Sequence, residues 1–218
     1  MIDIPKELQV TSYADAVNLQ KRLALQVTTK DSIKKMRNVC AVDVSYKDKL
    51  ANASAVIMGV KNLDLIECVT STTMIKTPYI PGLMMLREAV PIISALNLLR
   101  NNFDVLLVDG NGQLHPRRCG LGCYIGIIVG KPTIGVAKSL LCGKIRGDWV
   151  ELDGKRVANI IQRKKSKRIF VSVGDKINLR TATKPVDLLI GECQWLPEPA
   201  RLADRHSREW KGAISATP

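Results

Sequence analysis

Carboxylates are out of place in apolar strands, and this chain puts two of them there. Residues 38–46 read NVCAVDVSY, a Val-rich run whose single charge is Asp43. Residues 104–110 read DVLLVDG, where Asp109 closes another apolar run. Burying an unpaired carboxylate is costly, so each needs a reason. Singly, each reads equally well as a turn or capping residue. Glu88 adds a third. Met84 and Ile92 stand four residues to either side of it, and Leu83, Leu86, Val90 and Ile93 lie round the other side of the same helix. A helix apolar on both faces is mostly buried. Three carboxylates converging from two strands and a helix would repel one another unless a cation neutralised them. Oxygen donors without soft partners select Mg²⁺, with Mn²⁺ able to substitute. Lys138, just after the run IGVA, is either a solvated loop lysine or a contact to a phosphate or a water on the same edge. His115 is either a turn histidine capping Asn111 or a proton donor near the metal.

The elements that must carry these residues can be read from periodicity and punctuation. A helix over 12–28 has Ser12 as its N-cap. Strands at 38–46, 53–60 and 64–74 follow as a meander. A helix is expected over 83–101, kinked or entered by a short first turn because Pro91 cannot donate to the Arg87 carbonyl. The strand at 103–108, helix at 119–129 and strand at 132–136 form a parallel pair with a right-handed crossover. Residues 108–118, VDGNGQLHPRR, contain Asp-Gly and Asn-Gly, both hairpin signals. A helix follows them, however, so they form a loop at the end of a parallel strand, where such sheets place ligands. A basic tract over 144–168, a strand at 169–173 and one or two helices complete the chain. The reading is α/β: one domain over 1–218 with a mixed five-stranded central sheet, three antiparallel strands then parallel ones, flanked by helices.

Composition narrows the class of partner. The 218 residues carry 33 basic and 20 acidic side chains, a net charge of +13, which suggests a polyanionic partner such as nucleic acid. Six cysteines occur, none spaced CxxC, and two histidines cannot complete several zinc sites. Cysteines within apolar runs favour a reducing compartment. No signal-peptide pattern or long apolar span is present, so the expected location is the cytoplasm, without a membrane. Gly120-x-Gly122 lacks the third glycine of a dinucleotide fingerprint, Cys142-Gly143-Lys144 lacks the rest of a P-loop, and no G-x-S-x-G elbow occurs.

Four stretches together give a resemblance: AVDVSY (41–46), PYIPGLMMLREA (78–89), VDGNGQLHPRRCGLG (108–122) and PTIGVAKSLLCG (132–143). In this order they resemble the endonuclease V family, deoxyinosine-directed nucleases with a ribonuclease H-like fold. The resemblance implies a DNA repair enzyme that hydrolyses the second phosphodiester bond 3′ to deoxyinosine, leaving 3′-hydroxyl and 5′-phosphate ends. It places Asp43, Glu88 and Asp109 on a divalent metal, and Lys138 and His115 in the same site. Tyr79, Ile80 and Pro81 become a wedge that opens the duplex. Gly82, Gly110 and Gly120 let backbone approach the flipped base. The implied partner is DNA containing deoxyinosine, or inosine in RNA, and the family default is a monomer. Rival readings are an inosine-specific ribonuclease, another nuclease of the same fold, and a non-catalytic nucleic-acid-binding protein. His206 and the tract 163–168 are not assigned to the catalytic set.

Overall fold

A computed structural model describes residues 1–6, 10, 12–163, 167–192 and 194–210. The elements in chain order are α1 (Tyr13–Ala24), β1 (Asn38–Lys47), β2 (Leu50–Gly59), β3 (Leu65–Met74), α2 (Met85–Leu96), β4 (Val105–Asp109), α3 (Leu121–Val129) and β5 (Thr133–Ala137). They continue as β6 (Lys144–Arg146), β7 (Trp149–Leu152), β8 (Lys155–Ile161), β9 (Ile169–Asp175), α4 (Leu179–Leu188) and α5 (Glu198–Arg208). The strands form one sheet in the order β3-β2-β1-β4-β5-β9-β8-β7-β6. β1, β4 and β5 run parallel, and the other pairs are antiparallel.

The expected five strands are present in the expected arrangement, but the sheet has nine among the described residues. The strand expected at 169–173 joins the same sheet as β9, and the three strands not expected lie in residues 144–161. Their charges, Lys144, Arg146, Lys155 and Arg156, obscure the alternation of a strand. In the structure those side chains are solvated at the sheet's far edge, while Val150, Val157 and Ala158 are buried. A short charged edge strand such as β6 also discourages pairing with other chains.

Helix boundaries follow local chemistry. Ser12 caps α1 as expected, its hydroxyl accepting the Asp15 N–H at 3.1 Å. α1 stops at Ala24, short of the expected 28. α2 runs through Pro91 and is entered by a tight turn, Leu86 N–H to Leu83 carbonyl at 3.0 Å. It ends at Leu96 rather than 101.

Two apolar layers cover the sheet. On one face α1, α2 and α3 pack against Cys40, Val42, Ala55, Ile57, Leu106 and Val108. On the other, α4 and α5 cover Val39, Ala41, Val105, Leu107, Val136 and Val171. No helix among the described residues is long and apolar enough to cross a membrane.

Candidate active site

Parallel pairing sets the site's geometry. Val42 aligns with Val108, so the next residues, Asp43 and Asp109, emerge side by side from adjacent strands. Asp109 aligns with Val136, and Lys138 follows one residue after β5. Its Nζ donates to Asp109 Oδ2 at 2.6 Å and to Asp204 Oδ1 at 3.1 Å, and lies 3.8 Å from Asp43 Oδ1. Asp204 belongs to α5. Oxygens of Asp43, Asp109 and Asp204 lie within 4.8 Å of one another.

The tightest acidic group is not the trio that the resemblance implies. Glu88 is buried, as expected, and shares a cavity of about 200 Å³ with Asp43, Asp109 and Lys138. The tight group, however, has Asp204 as its third member. The reason is the face: α2 approaches from one side of the sheet and α5 from the other. Glu88 Oε1 instead accepts the Tyr46 hydroxyl at 2.8 Å.

Electrostatic strain is concentrated here. Burial, then the neighbouring Asp109, pushes the Asp43 carboxyl up to about 8, although the Ser207 hydroxyl donates to its Oδ2 at 2.7 Å. Burial raises Glu88 to about 7 against the stabilising Tyr46 hydrogen bond. Burial would lower Lys138, but Asp109, Asp43 and Asp204 outweigh it and hold the ammonium above its ordinary range. Burial opposes ionisation of Asp204, yet Lys138 and Arg208 hold its carboxyl below the usual range. If all four carboxylates ionised they would outnumber the nearby cations Lys138, Arg87 and Arg208, so full ionisation leaves negative charge in excess. An oxygen-only donor set with excess negative charge fits a hard divalent cation.

A second cavity adjoins the first. It measures about 200 Å³ and is lined by Gln20, Tyr79, Gly82, His115, Gly120 and Leu140, among others. Met84, Asn111 and Ser139 line both cavities. Tyr79 stands at the rim, 60% exposed, on the turn before α2. Pro81 is exposed too, but Ile80 does not project with them. It packs partly buried on the core and anchors the turn, its carbonyl accepting the Leu83 N–H at 2.9 Å.

The expected glycines divide between the cavities. Gly82 and Gly120 line the second, while Gly110, adjacent to Asp109, lines the acidic one. Gly120 is also required by the loop itself, since a Cβ there would stand 2.2 Å from the Asn111 carbonyl oxygen.

His115 likewise belongs to the second cavity and does not line the acidic one. Its Nδ1 accepts the Arg117 N–H at 3.2 Å, which leaves Nε2–H to donate to the Gly82 carbonyl at 3.0 Å. Both ring nitrogens are engaged, and burial, with Arg117 nearby, lowers its pKa to about 4. An imidazole so held ties the 115–117 turn to the turn at Gly82. Gln20 and Arg117 hold the same carbonyl, at 3.0 and 2.9 Å, and bond to each other at 2.6 Å.

Sequence reasoning missed Asp204, Ser207, Tyr46 and Gln20. Asp204 is disguised by an ion pair with Arg208 four residues on, at 2.9 Å, the pattern of a solvated helix face. The available signal was Ala203 and Ser207, small residues at helical spacing, both buried in an otherwise charged helix. His206 pairs with Glu209 at 2.9 Å. Residues 164–166 of the basic tract lie outside the described residues.

The family signature of endonuclease V matches residues 21–205, which includes every residue of the acidic group. A Thermofilum pendens relative described as Endonuclease V is 39% identical over 200 residues, covering 88% of this chain and 86% of the relative. The chain belongs to the Endonuclease V family. Among solved structures, Endonuclease V from Bacillus subtilis superposes with a TM-score of 0.84 at 28% identity, covering 91% of this chain and 92% of that one. Ciona intestinalis Endonuclease V, solved with a 24mer DNA containing an inosine followed by a ribo-adenosine, gives a TM-score of 0.80 at 28% identity. It covers 89% of this chain and 95% of that one. Membership accounts for the α/β architecture around a mixed sheet, in a family of nucleases.

Proposed function

We propose that this chain cuts inosine-containing DNA at the second phosphodiester bond 3′ to the deoxyinosine, leaving 3′-hydroxyl and 5′-phosphate ends. One observation carries the reading: the acidic cavity and the glycine-lined cavity share a wall, Met84, Asn111 and Ser139. A base held in the second cavity puts its own backbone beside that wall, and the neighbouring phosphate falls in the first. Recognition and hydrolysis are then displaced from each other, as a cut beyond the lesion requires.

In this reading Asp43, Asp109 and Asp204 hold Mg²⁺, with Mn²⁺ able to replace it. When bound, such an ion supplies charge stabilisation of the phosphoryl group and lowers the pKa of water. Glu88, with its carboxyl near neutrality, exchanges a proton with the attacking water. Lys138 turns its ammonium to a scissile-phosphate oxygen. Tyr79 and Pro81 fill the gap left in the stack when the inosine leaves it, and Ile80 keeps their turn in place. His115, Gln20 and Arg117 hold the Gly82 carbonyl and so the shape of the base cavity. In this reading the fold is ribonuclease H-like, 1–218 is a single domain, which one continuous sheet among the described residues supports, and the enzyme works as a monomer. Its buried free cysteines favour a reducing compartment such as the cytoplasm.

The test is a panel of labelled DNA and RNA strands, with and without one inosine, incubated with and without Mg²⁺. Cleavage of inosine DNA only with the ion, one nucleotide 3′ of the lesion, is the expected result. Preferential cutting of inosine RNA would establish the ribonuclease alternative. Binding without cutting on every substrate would leave the non-catalytic one.

A further inference from the structure

Much of the chain's positive charge lies away from the acidic cavity. The sheet register leads to one concentration of it. Asp109 aligns with Val136, Val136 with Val171, Val171 with Asn159 and Asn159 with Trp149. Residues aligned in a row share a face, and at ~4.8 Å per strand Asn159 stands about 14 Å from Asp109. α4 lies over this part of the sheet. Between α4 and β8 opens a groove of about 650 Å³, lined by Arg156, Asn159, Arg180, Thr183, Lys184 and Asp187 among others.

The groove has a fixed floor and free cations. Asn159 Nδ2 donates to Thr183 Oγ1 at 2.7 Å, and its Oδ1 accepts Arg156 Nε at 2.8 Å. The Arg156 guanidinium lies 5.5 Å from the Trp149 ring centroid. Its cross-strand neighbour Glu151 pairs with Arg146 instead, at 3.5 Å. Arg156 is therefore oriented by neutral partners and keeps its charge uncompensated. Arg180 and Lys184 stand four residues apart on α4, both exposed, and among the described residues neither has an ion-pair or hydrogen-bond partner. Like charges one helical turn apart disfavour the helix, so folding gives no reason for them. The groove's one carboxylate, Asp187, is already paired with Arg163 at 2.9 Å.

We propose that this groove binds the sugar–phosphate backbone of the nucleic acid flanking the inosine. Three cations with no carboxylate partner among the described residues, on a preset floor, suit a row of phosphates, and the Asn159 amide is already engaged at both its nitrogen and its oxygen. Its contribution is sequence-independent affinity that holds the strand on the same face as Asp109. The inference rests on the proposed function for the identity of the strand, while backbone binding can be measured without cleavage.

The experiment uses the full chain in EDTA, with fluorescence anisotropy on hairpin-closed duplexes, with or without one inosine. Flanks of ~3 base pairs reach about 10 Å from the lesion and ~15 base pairs reach past the groove, at 3.4 Å per step. Arg180→Gln/Lys184→Gln, with an unchanged melting temperature, is expected to bind the long-flank duplexes roughly 10-fold more weakly. Its log K against log salt slope should fall by about 1.8, two phosphate contacts at 0.9 each. Affinity for short-flank duplexes should be unchanged, and Arg180→Lys/Lys184→Arg should restore long-flank binding. An unchanged slope on long flanks overturns the proposal, as does an equal loss on both lengths. An acidic polypeptide as the true occupant would also leave DNA binding untouched. If the wild type shows no inosine preference but the double variant still loses flank-dependent affinity, the functional reading fails and the groove stands.

Discussion

The two adjoining cavities are held together in opposite ways. In the acidic one, carboxylates are forced together: Asp43 is pushed up to about 8 and Glu88 to about 7, chiefly by burial. In the glycine-lined one, one carbonyl, that of Gly82, gathers Gln20, His115 and Arg117 into a hydrogen-bonded brace. The first cavity holds charge in excess and is costly until a cation enters. The second is braced before anything binds, and in its lining only Asn111 Oδ1, on the shared wall, is buried without a hydrogen-bond partner among the described residues. A site whose chemistry needs charge and whose recognition needs shape can divide the two tasks this way, with Met84, Asn111 and Ser139 as the common wall.

The sharpest way to break this division is to remove a carboxylate. Asp43→Ala or Asp109→Ala is expected to reduce cleavage at least about a thousandfold, as loss of one member of a cooperating group does. Near-wild-type turnover in either would remove the metal site from the acidic cavity.

Asp204→Asn tests the member that sequence reasoning missed. It should weaken divalent-ion binding roughly 10- to 100-fold, measured by calorimetry with Mn²⁺. No change would restore the group to Asp43, Asp109 and Glu88.

Tyr79→Ala acts on the other cavity. A stacking side chain at its rim contributes about 1–3 kcal/mol, so binding to inosine duplex should weaken about tenfold or more, with a smaller loss on single strands. Equal losses on both would argue against a wedge.

The smallest effect concerns pH, and the cavities should respond in opposite directions. Asp43 and Glu88 have raised folded pKa values, so the folded chain holds protons that the unfolded chain has released. Their contribution falls as pH rises from about 4 to 8. His115 is lowered to about 4, so its contribution grows from pH 4 until the unfolded value near 6.5 and is then complete. Between pH 6.5 and 8 only the acidic cavity still changes. The melting temperature of the metal-free protein should fall across that window by a few degrees, and Asp43→Asn should flatten the decline. A melting temperature that climbs from pH 6.5 to 8 would contradict the charge excess.

Much of this was legible in the chain because burial and periodicity speak directly. Asp43 and Glu88 interrupt apolar patterns, and both are buried. Asp109 ends a strand whose parallel neighbours bring it beside Asp43. What stayed hidden has a common cause: charge at the surface masks structure. β6 to β8 carry lysines and arginines at an edge where strand alternation need not hold. Asp204 looks like one half of an ordinary helical ion pair, and only the small residues Ala203 and Ser207 hint that this side of α5 packs. His115 was ambiguous for a different reason. A histidine beside two arginines suggests proton chemistry, but its burial and its bond to a carbonyl 33 residues away are properties of the folded chain.

The division of labour is tested most directly by the affinity of Asp109→Ala for otherwise identical inosine and adenine duplexes. The variant should not cut, yet should keep the wild-type ratio of the two affinities, because the glycine-lined cavity is intact. A ratio that collapses to one would show that recognition depends on the acidic cavity, and the separation of the two tasks would be wrong.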